Sequence, residues 1–311
     1  MRAFVFPGQG SQAIGMGKAL ADAYPAARAV FEEVDAALGE NLSGLIWDGD
    51  IDTLTLTRNA QPALMATSIA ALRALEAEGV TLQAAGFVAG HSLGEYSALC
   101  AAGALGLADT ARLLRTRGDA MQAAVPVGVG AMAAILGLDF ATVAAIAAEA
   151  GQGEVVQAAN DNDPSQVVVS GHKAAVERAC ELAKEKGAKR ALMLPVSAPF
   201  HSALMQPAAD VMRDALAAVT INTPVVPVVA NVMAEAVSDP ATIRDLLVQQ
   251  VTGSVRWRES VQWMAAQGVT EAWEIGAGKA LSGMIRRIEK TIECRTIGTP
   301  EEAAAAAATL S

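Results

Sequence analysis

The chain has 311 residues and a formal net charge of −10 at neutral pH, an acidic balance that argues against nucleic acid as its partner. Hydrophobic residues make up 52% of it but aromatics only 4%, and uncharged runs such as 96–108 and 127–138 fall short of the roughly 20 apolar residues that a membrane-crossing helix needs. No apolar stretch long enough for a secretory signal is expected in the opening residues, and three widely spaced cysteines (Cys100, Cys180, Cys294) without a CxxC pair read as reduced thiols of a cytoplasmic protein, not as a disulfide framework or metal site.

In chain order, residues 3–6 read as a strand that runs into the glycine-rich corner Pro7-Gly8-Gln9-Gly10. Helices are expected over 26–38 and, largely buried, over 62–79. A short core strand over 86–90 leads to a helix over 93–102. Between about 127 and 198 the pattern changes: strand 131–136, helix 140–150, strands 154–159 and 166–170, helix 173–186, strand 190–194. That β-α-β-β-α-β order is the split, ferredoxin-like unit. The expected fold is therefore α/β, with a large domain over 1–126 and 199–311 and a small inserted subdomain over 127–198. A cleft between them is the default place for a site. Two basic clusters, Lys184/Lys186/Lys189/Arg190 and Arg286/Arg287/Lys290, read as solvated helix ends. The alanine-rich 303–309 reads as a terminal helix or frayed end.

Gly90-His91-Ser92-Leu93-Gly94 fits G-x-S-x-G between a strand and a helix, the setting of a nucleophile elbow. The turn strains the serine backbone and requires small neighbours. It also projects the hydroxyl at a helix N-terminus, where free N–H groups favour negative charge. A serine needs a base, and the chain has three histidines. His91 adjoins the nucleophile and packs or hydrogen-bonds behind the elbow. His172 begins a helix of the insert as a cap or surface residue. His201 lies where the chain returns to the large domain, so it is the general-base candidate. An acid or a backbone carbonyl would serve to orient it.

Six motifs now stand in order: FPGQGSQ at 6–12, GHSLGEYSAL at 90–99, Arg117-Gly118 with Met121, GAMAAILGL at 130–138, N-x-N-x-P-x-Q at 160–166 and APFHS at 198–202. With them the chain resembles the malonyl-CoA:acyl carrier protein transacylases over essentially its whole length. The resemblance implies a hydrolase-like α/β domain with a parallel sheet and the ferredoxin-like insert. It implies that Arg117 binds the malonyl carboxylate by a two-pronged ion pair, a task suited to a planar guanidinium. The carbonyl that orients the histidine falls on Gln250, although Val251-Thr252-Gly253-Ser254 departs from the tyrosine-asparagine-proline wording common there. The backbone N–H groups of Gln9 and Leu93 would form the oxyanion hole. His91, Asn160, Asn162 and Phe200 would line the cleft, and Phe200 would accompany malonyl over methylmalonyl selection.

The activity so implied is ping-pong transfer from malonyl-CoA to acyl carrier protein, supplying fatty acid synthesis. It needs no metal or redox cofactor, and a monomer without nucleic-acid or membrane partners is expected. The alternatives are a serine esterase or thioesterase, which would normally place its histidine late and after an acid, and an acyltransferase serving polyketide synthesis. A dinucleotide-binding protein is a further rival, since Gly8-x-Gly10-x-x-Ala13 fits that fingerprint. The acids that it would need, Glu32, Glu33 and Asp35, fall inside a helical pattern instead.

Overall fold

The computed structural model describes residues 1–196 and 198–310. Two sheets organise it. The first contains β1 (Arg2–Phe6), β2 (Phe87–Gly90), β7 (Val228–Ala230), β8 (Glu235–Val237), β9 (Glu271–Ile275) and β10 (Glu293–Ile297), in the order β10-β9-β1-β2-β7-β8. Its pairings are parallel except β7 with β8. The second contains β3 (Gly130–Leu136), β4 (Val156–Asp163), β5 (Gln166–His172) and β6 (Arg190–Met193), antiparallel in the order β4-β5-β3-β6. With helices 140–151 and 173–185 this is the ferredoxin-like arrangement, and the whole is α/β.

Strand β1 shows why the large sheet forms. Parallel strands covered on both faces read as continuous apolar runs, and Ala3, Phe4, Val5 and Phe6 are all fully buried. Ala3 and Val5 face Trp257, Val261 and Met264. Phe4 and Phe6 face the larger core containing Leu64 and Ile69, and Phe4 stacks on Trp273 with ring centroids 5.5 Å apart.

Two elements differ from expectation. The buried helix begins at Thr57, not Pro62, and runs to Ala77 with the proline inside it. An internal proline leaves the carbonyl four residues back without its donor. Here that carbonyl belongs to Arg58, and Arg115 Nη1 donates to it at 2.5 Å. The second strand of the insert extends to Asp163, four residues past the expected Ala159, with register shifts at Ala158/Asn160 and Asp161/Asp163. Bulges break the alternation that would have marked it. This extension joins the two units: Asp161 N–H donates to Val255 O, and Val255 N–H to Ala159 O, both at 2.9 Å. The buried Asp161 pairs with Arg258, and the buried Asp163 with Arg287, each at 2.8 Å. Arg287 is thus a cross-unit anchor, a role that a solvated helix end does not have.

The alanine-rich tail forms a helix over Pro300–Ala307. Among the described residues no helix is long and apolar enough to cross a membrane.

Candidate active site

Between the two sheets lies a cavity of about 690 Å³. Its floor is the turn from β2 into helix 93–101. Ser92 sits there with φ 54° and ψ −111°, a sparsely populated conformation that persists only where its surroundings enforce it. A Cβ at Gly90 would collide with the Gly94 backbone, and one at Gly94 with the Phe6 carbonyl. These close approaches account for both glycines of the motif. Asn231, at the end of β7, locks the turn. Its Oδ1 accepts from Ser92 N–H at 2.8 Å, and its Nδ2 donates to Gly90 O at 2.7 Å.

Ser92 Oγ lies 2.7 Å from His201 Nε2. His201 Nδ1 faces two carbonyls, Gln250 O at 2.8 Å and Gly253 O at 3.1 Å. A carbonyl only accepts, so Nδ1 carries the proton and Nε2 is left to accept from the serine hydroxyl. His201 is also strained, at φ 56°. Burial, together with the Arg117 charge, holds its imidazole down to about 3, so it is neutral at neutral pH. No carboxylate bonds it among the described residues.

Arg117, on helix 107–123, is 1% exposed. Its Nη1 donates to Gln61 Oε1 at 2.7 Å. Its Nη2 donates to Gln250 Oε1 at 2.8 Å and to Ser92 Oγ at 3.1 Å. Its Nε has no hydrogen-bond partner, and no carboxylate forms an ion pair with it among the described residues. A buried cation in that state is costly unless an anion completes it, and this one borders the cavity. The neighbouring Arg115 serves elsewhere, on Arg58 O, Asn59 and Glu40.

Beside the serine, Gln9 and Leu93 border the same cavity. Among the described residues no hydrogen bond engages the backbone N–H of either, whereas the Ser92 N–H is taken by Asn231. Gly8 permits this approach, since a Cβ there would lie 2.6 Å from His91 O. His91 Nε2 bonds Asn162 Oδ1 at 2.8 Å, which ties the elbow to the small sheet, and burial pushes its imidazole down. Asn160, Asn162 and Phe200 line the cavity with Met132, Ala134 and Val168 of the small sheet. His172 lies apart, its Nδ1 accepting from Val155 N–H at 2.9 Å.

All the sequence-designated residues except Gln250 line this cavity; Gln250 stands directly behind it, fully buried. Three further residues went unmarked in the sequence: Gln61, Asn231 and Glu95. Glu95 stands three positions after the serine, just past the elbow motif in the first turn of the helix, a spacing that places it behind the nucleophile. The other two lie on distant segments and carry no local signal.

A strained serine beside a neutral histidine and a buried, anion-seeking arginine is a site suited to acyl transfer, and the family model of the acyl transferase domain matches residues 3–300. The malonyl CoA-acyl carrier protein transacylase of Bacillus subtilis is 49% identical over 300 residues, spanning 96% of this chain and 94% of that one. An acyl-carrier-protein-S-malonyltransferase structure from Bartonella henselae is 58% identical with a TM-score of 0.97, covering 99% of each chain. A malonyl-transacylase solved in complex with its type II PKS acyl-carrier protein is 42% identical with a TM-score of 0.96, again over 99% of each. The chain belongs to the malonyl CoA-acyl carrier protein transacylase family.

Proposed function

We propose that this protein moves a malonyl group from malonyl-CoA to the phosphopantetheine thiol of acyl carrier protein, in the cytoplasm and for fatty acid synthesis. The observation that carries the reading is the buried guanidinium of Arg117, in no direct ion pair with a carboxylate among the described residues and 3.1 Å from the nucleophile oxygen. An acyl chain ending in a carboxylate completes that charge while its thioester carbon rests against Ser92.

The steps follow from the geometry. His201 Nε2 takes the Ser92 proton as Oγ attacks the thioester carbonyl. The oxyanion forms against the N–H groups of Gln9 and Leu93, where losing one donor typically costs about 2.7–4 kcal/mol. The Gln250 carbonyl stabilises the imidazolium, which then protonates the departing CoA sulfur. The carrier thiol enters and the sequence runs in reverse. Phe200 and the apolar wall of the small sheet narrow the space beside the malonyl methylene, where one extra methyl group is worth ~1–3 kcal/mol of discrimination. The division of labour belongs to the same proposal: a catalytic body over 1–126 and 199–311, and a unit over 127–198 that closes the cavity. The chain works as a monomer with no metal or redox cofactor.

The backbone carbonyl on His201 Nδ1 disfavours the hydrolase alternative, whose histidine is oriented by an acid. Intact-mass measurement after malonyl-CoA treatment should show a malonyl adduct that is lost in Ser92→Ala. Arg117→Ala should penalise malonyl transfer to carrier protein far more than acetyl transfer. An adduct that persists without Ser92, or equal losses for both acyl groups, would overturn the assignment.

A further inference from the structure

Behind the elbow lies a carboxylate that this scheme does not use. Glu95, in the first turn of helix 93–101, is 3% exposed. Its Oε2 accepts from Gln250 Nε2 at 2.8 Å and from Asn231 N–H at 3.1 Å. The other end of the same Gln250 amide accepts from Arg117 at 2.8 Å. One amide therefore stands between a buried carboxylate and a buried guanidinium, its dipole aligned with both. Arg117 is the charged group that acts on Glu95 from the surrounding elements. Beyond it, the neighbourhood contributes neutral groups: Tyr96 on its own helix, Gln61 from helix 57–77, Asn231 after β7, and His201 across Gln250.

Building on the reading of Arg117 as the carboxylate receptor, we infer that Glu95 is the resident counter-charge of Arg117 and gives way to the substrate, taking up one proton from solvent when the malonyl carboxylate docks. Two carboxylates cannot share one guanidinium in a buried site and both stay ionised. Burial already pushes Glu95 up to about 7 in the empty site, and a second anion pushes it in the same direction. The only bond formed is the O–H on Glu95, and the proton returns to solvent when the malonyl group leaves. Above neutral pH Glu95 is ionised and faces Arg117 across the Gln250 amide, so the malonyl carboxylate must dock against a second negative charge. Acetyl-CoA brings no carboxylate and takes up no proton.

Calorimetric titration of malonyl-CoA and acetyl-CoA into Ser92→Ala, in buffers of different ionisation enthalpy, reads this directly. At about pH 8 malonyl-CoA should take up nearly one proton more than acetyl-CoA. Adding Glu95→Gln should abolish that difference. It should also tighten malonyl-CoA binding about tenfold at about pH 8 and leave it nearly unchanged at about pH 6. A merely structural lesion would instead weaken binding at both. Uptake that survives Glu95→Gln would make His201 the acceptor and overturn the proposal. If that variant does not fold, an infrared difference spectrum of the Ser92→Ala protein with carboxyl-labelled malonyl-CoA still decides: an unlabelled protonated-carboxyl band supports the proposal, and its absence overturns it. No extra uptake, with malonyl still preferred, removes the Glu95 role and leaves the Arg117 reading standing. No preference for malonyl removes both.

Discussion

The Gln250 carbonyl survives any ordinary substitution of its side chain, whereas the amide that bonds Ser92, Glu95 and Arg117 does not. Gln250→Ala should therefore keep His201 oriented while loosening Arg117. Losing one charge-assisted hydrogen bond of about 1.5 kcal/mol should raise the malonyl-CoA KM about tenfold with a smaller loss in kcat. Steady-state kinetics will distinguish this from a collapse of kcat alone. The pH profile makes a second demand. In the proposed mechanism His201 serves as base only when neutral, and burial lowers its pKa to about 3. Its activity should thus persist as pH falls through the ordinary histidine range and fail only near 3. An acid limb near 6.5 in Ser92 acylation would contradict that. At this scale the sequence is informative where chemistry and backbone coincide. Ser92 announces itself through the two glycines that its turn requires, and His201 is one of only three histidines. Arg117 is singled out by resemblance, because Arg112, Arg115 and Arg117 share a helix and spacing does not reveal which is buried. Gln61 and Asn231 act through bonds to residues tens to more than a hundred positions away, which no local pattern encodes, whereas Glu95 is legible only as a neighbour of the elbow and its partners are not.

Helix 57–77 and strand β4 are the elements where local rules mislead, and in both cases a distant partner decides. Pro62 reads as a helix start because it removes a donor. The helix continues through it because Arg115 supplies another to the freed Arg58 carbonyl. Arg115→Ala should leave that carbonyl and Asn59 Oδ1 without a donor and cost about 1–3 kcal/mol of stability. Urea unfolding should show the loss, with activity per folded molecule largely retained, since Arg115 touches none of the cavity residues described. In β4, the run Asn160-Asp161-Asn162-Asp163 lacks the apolar alternation of a half-buried strand. Its carboxylates are buried because Arg258 and Arg287 meet them from the other unit. Asp161→Ala removes one of those meetings. With Arg258 partly exposed, the cost should be about 1–3 kcal/mol, below that of a fully buried pair. Faster hydrogen exchange over 156–172, with β1 and β9 unaffected, is the expected signature.

Across the molecule, the insert is the more readable unit. Its strands and helices are short, periodic and consecutive, so their order alone specifies the ferredoxin-like arrangement. The large sheet is not readable in this way. Its neighbours β9, β1 and β2 are far apart in the chain, and parallel pairing over such distances leaves no trace in local periodicity. The same topology brings elbow, histidine and arginine to one floor, while the insert provides the opposite wall.

The bond between His91 and Asn162 spans those two walls at the depth of the nucleophile. Together with the backbone ladder at Val255 and the two Arg–Asp pairs, it ties the walls to each other, and the cavity should behave as a fixed mould, not a jaw. Swinging the wall outward would pull on the residue next to Ser92 and spoil the elbow. Small-angle scattering should accordingly show the same envelope for the empty and malonyl-loaded enzyme. Such a mould is already set before the substrate arrives, so movement of its walls should take little share of the binding free energy. Its drawback is tolerance: an acyl group that does not match the wall meets a rigid surface, and this enzyme should widen its substrate range only through substitutions in the wall, never through looser hinges.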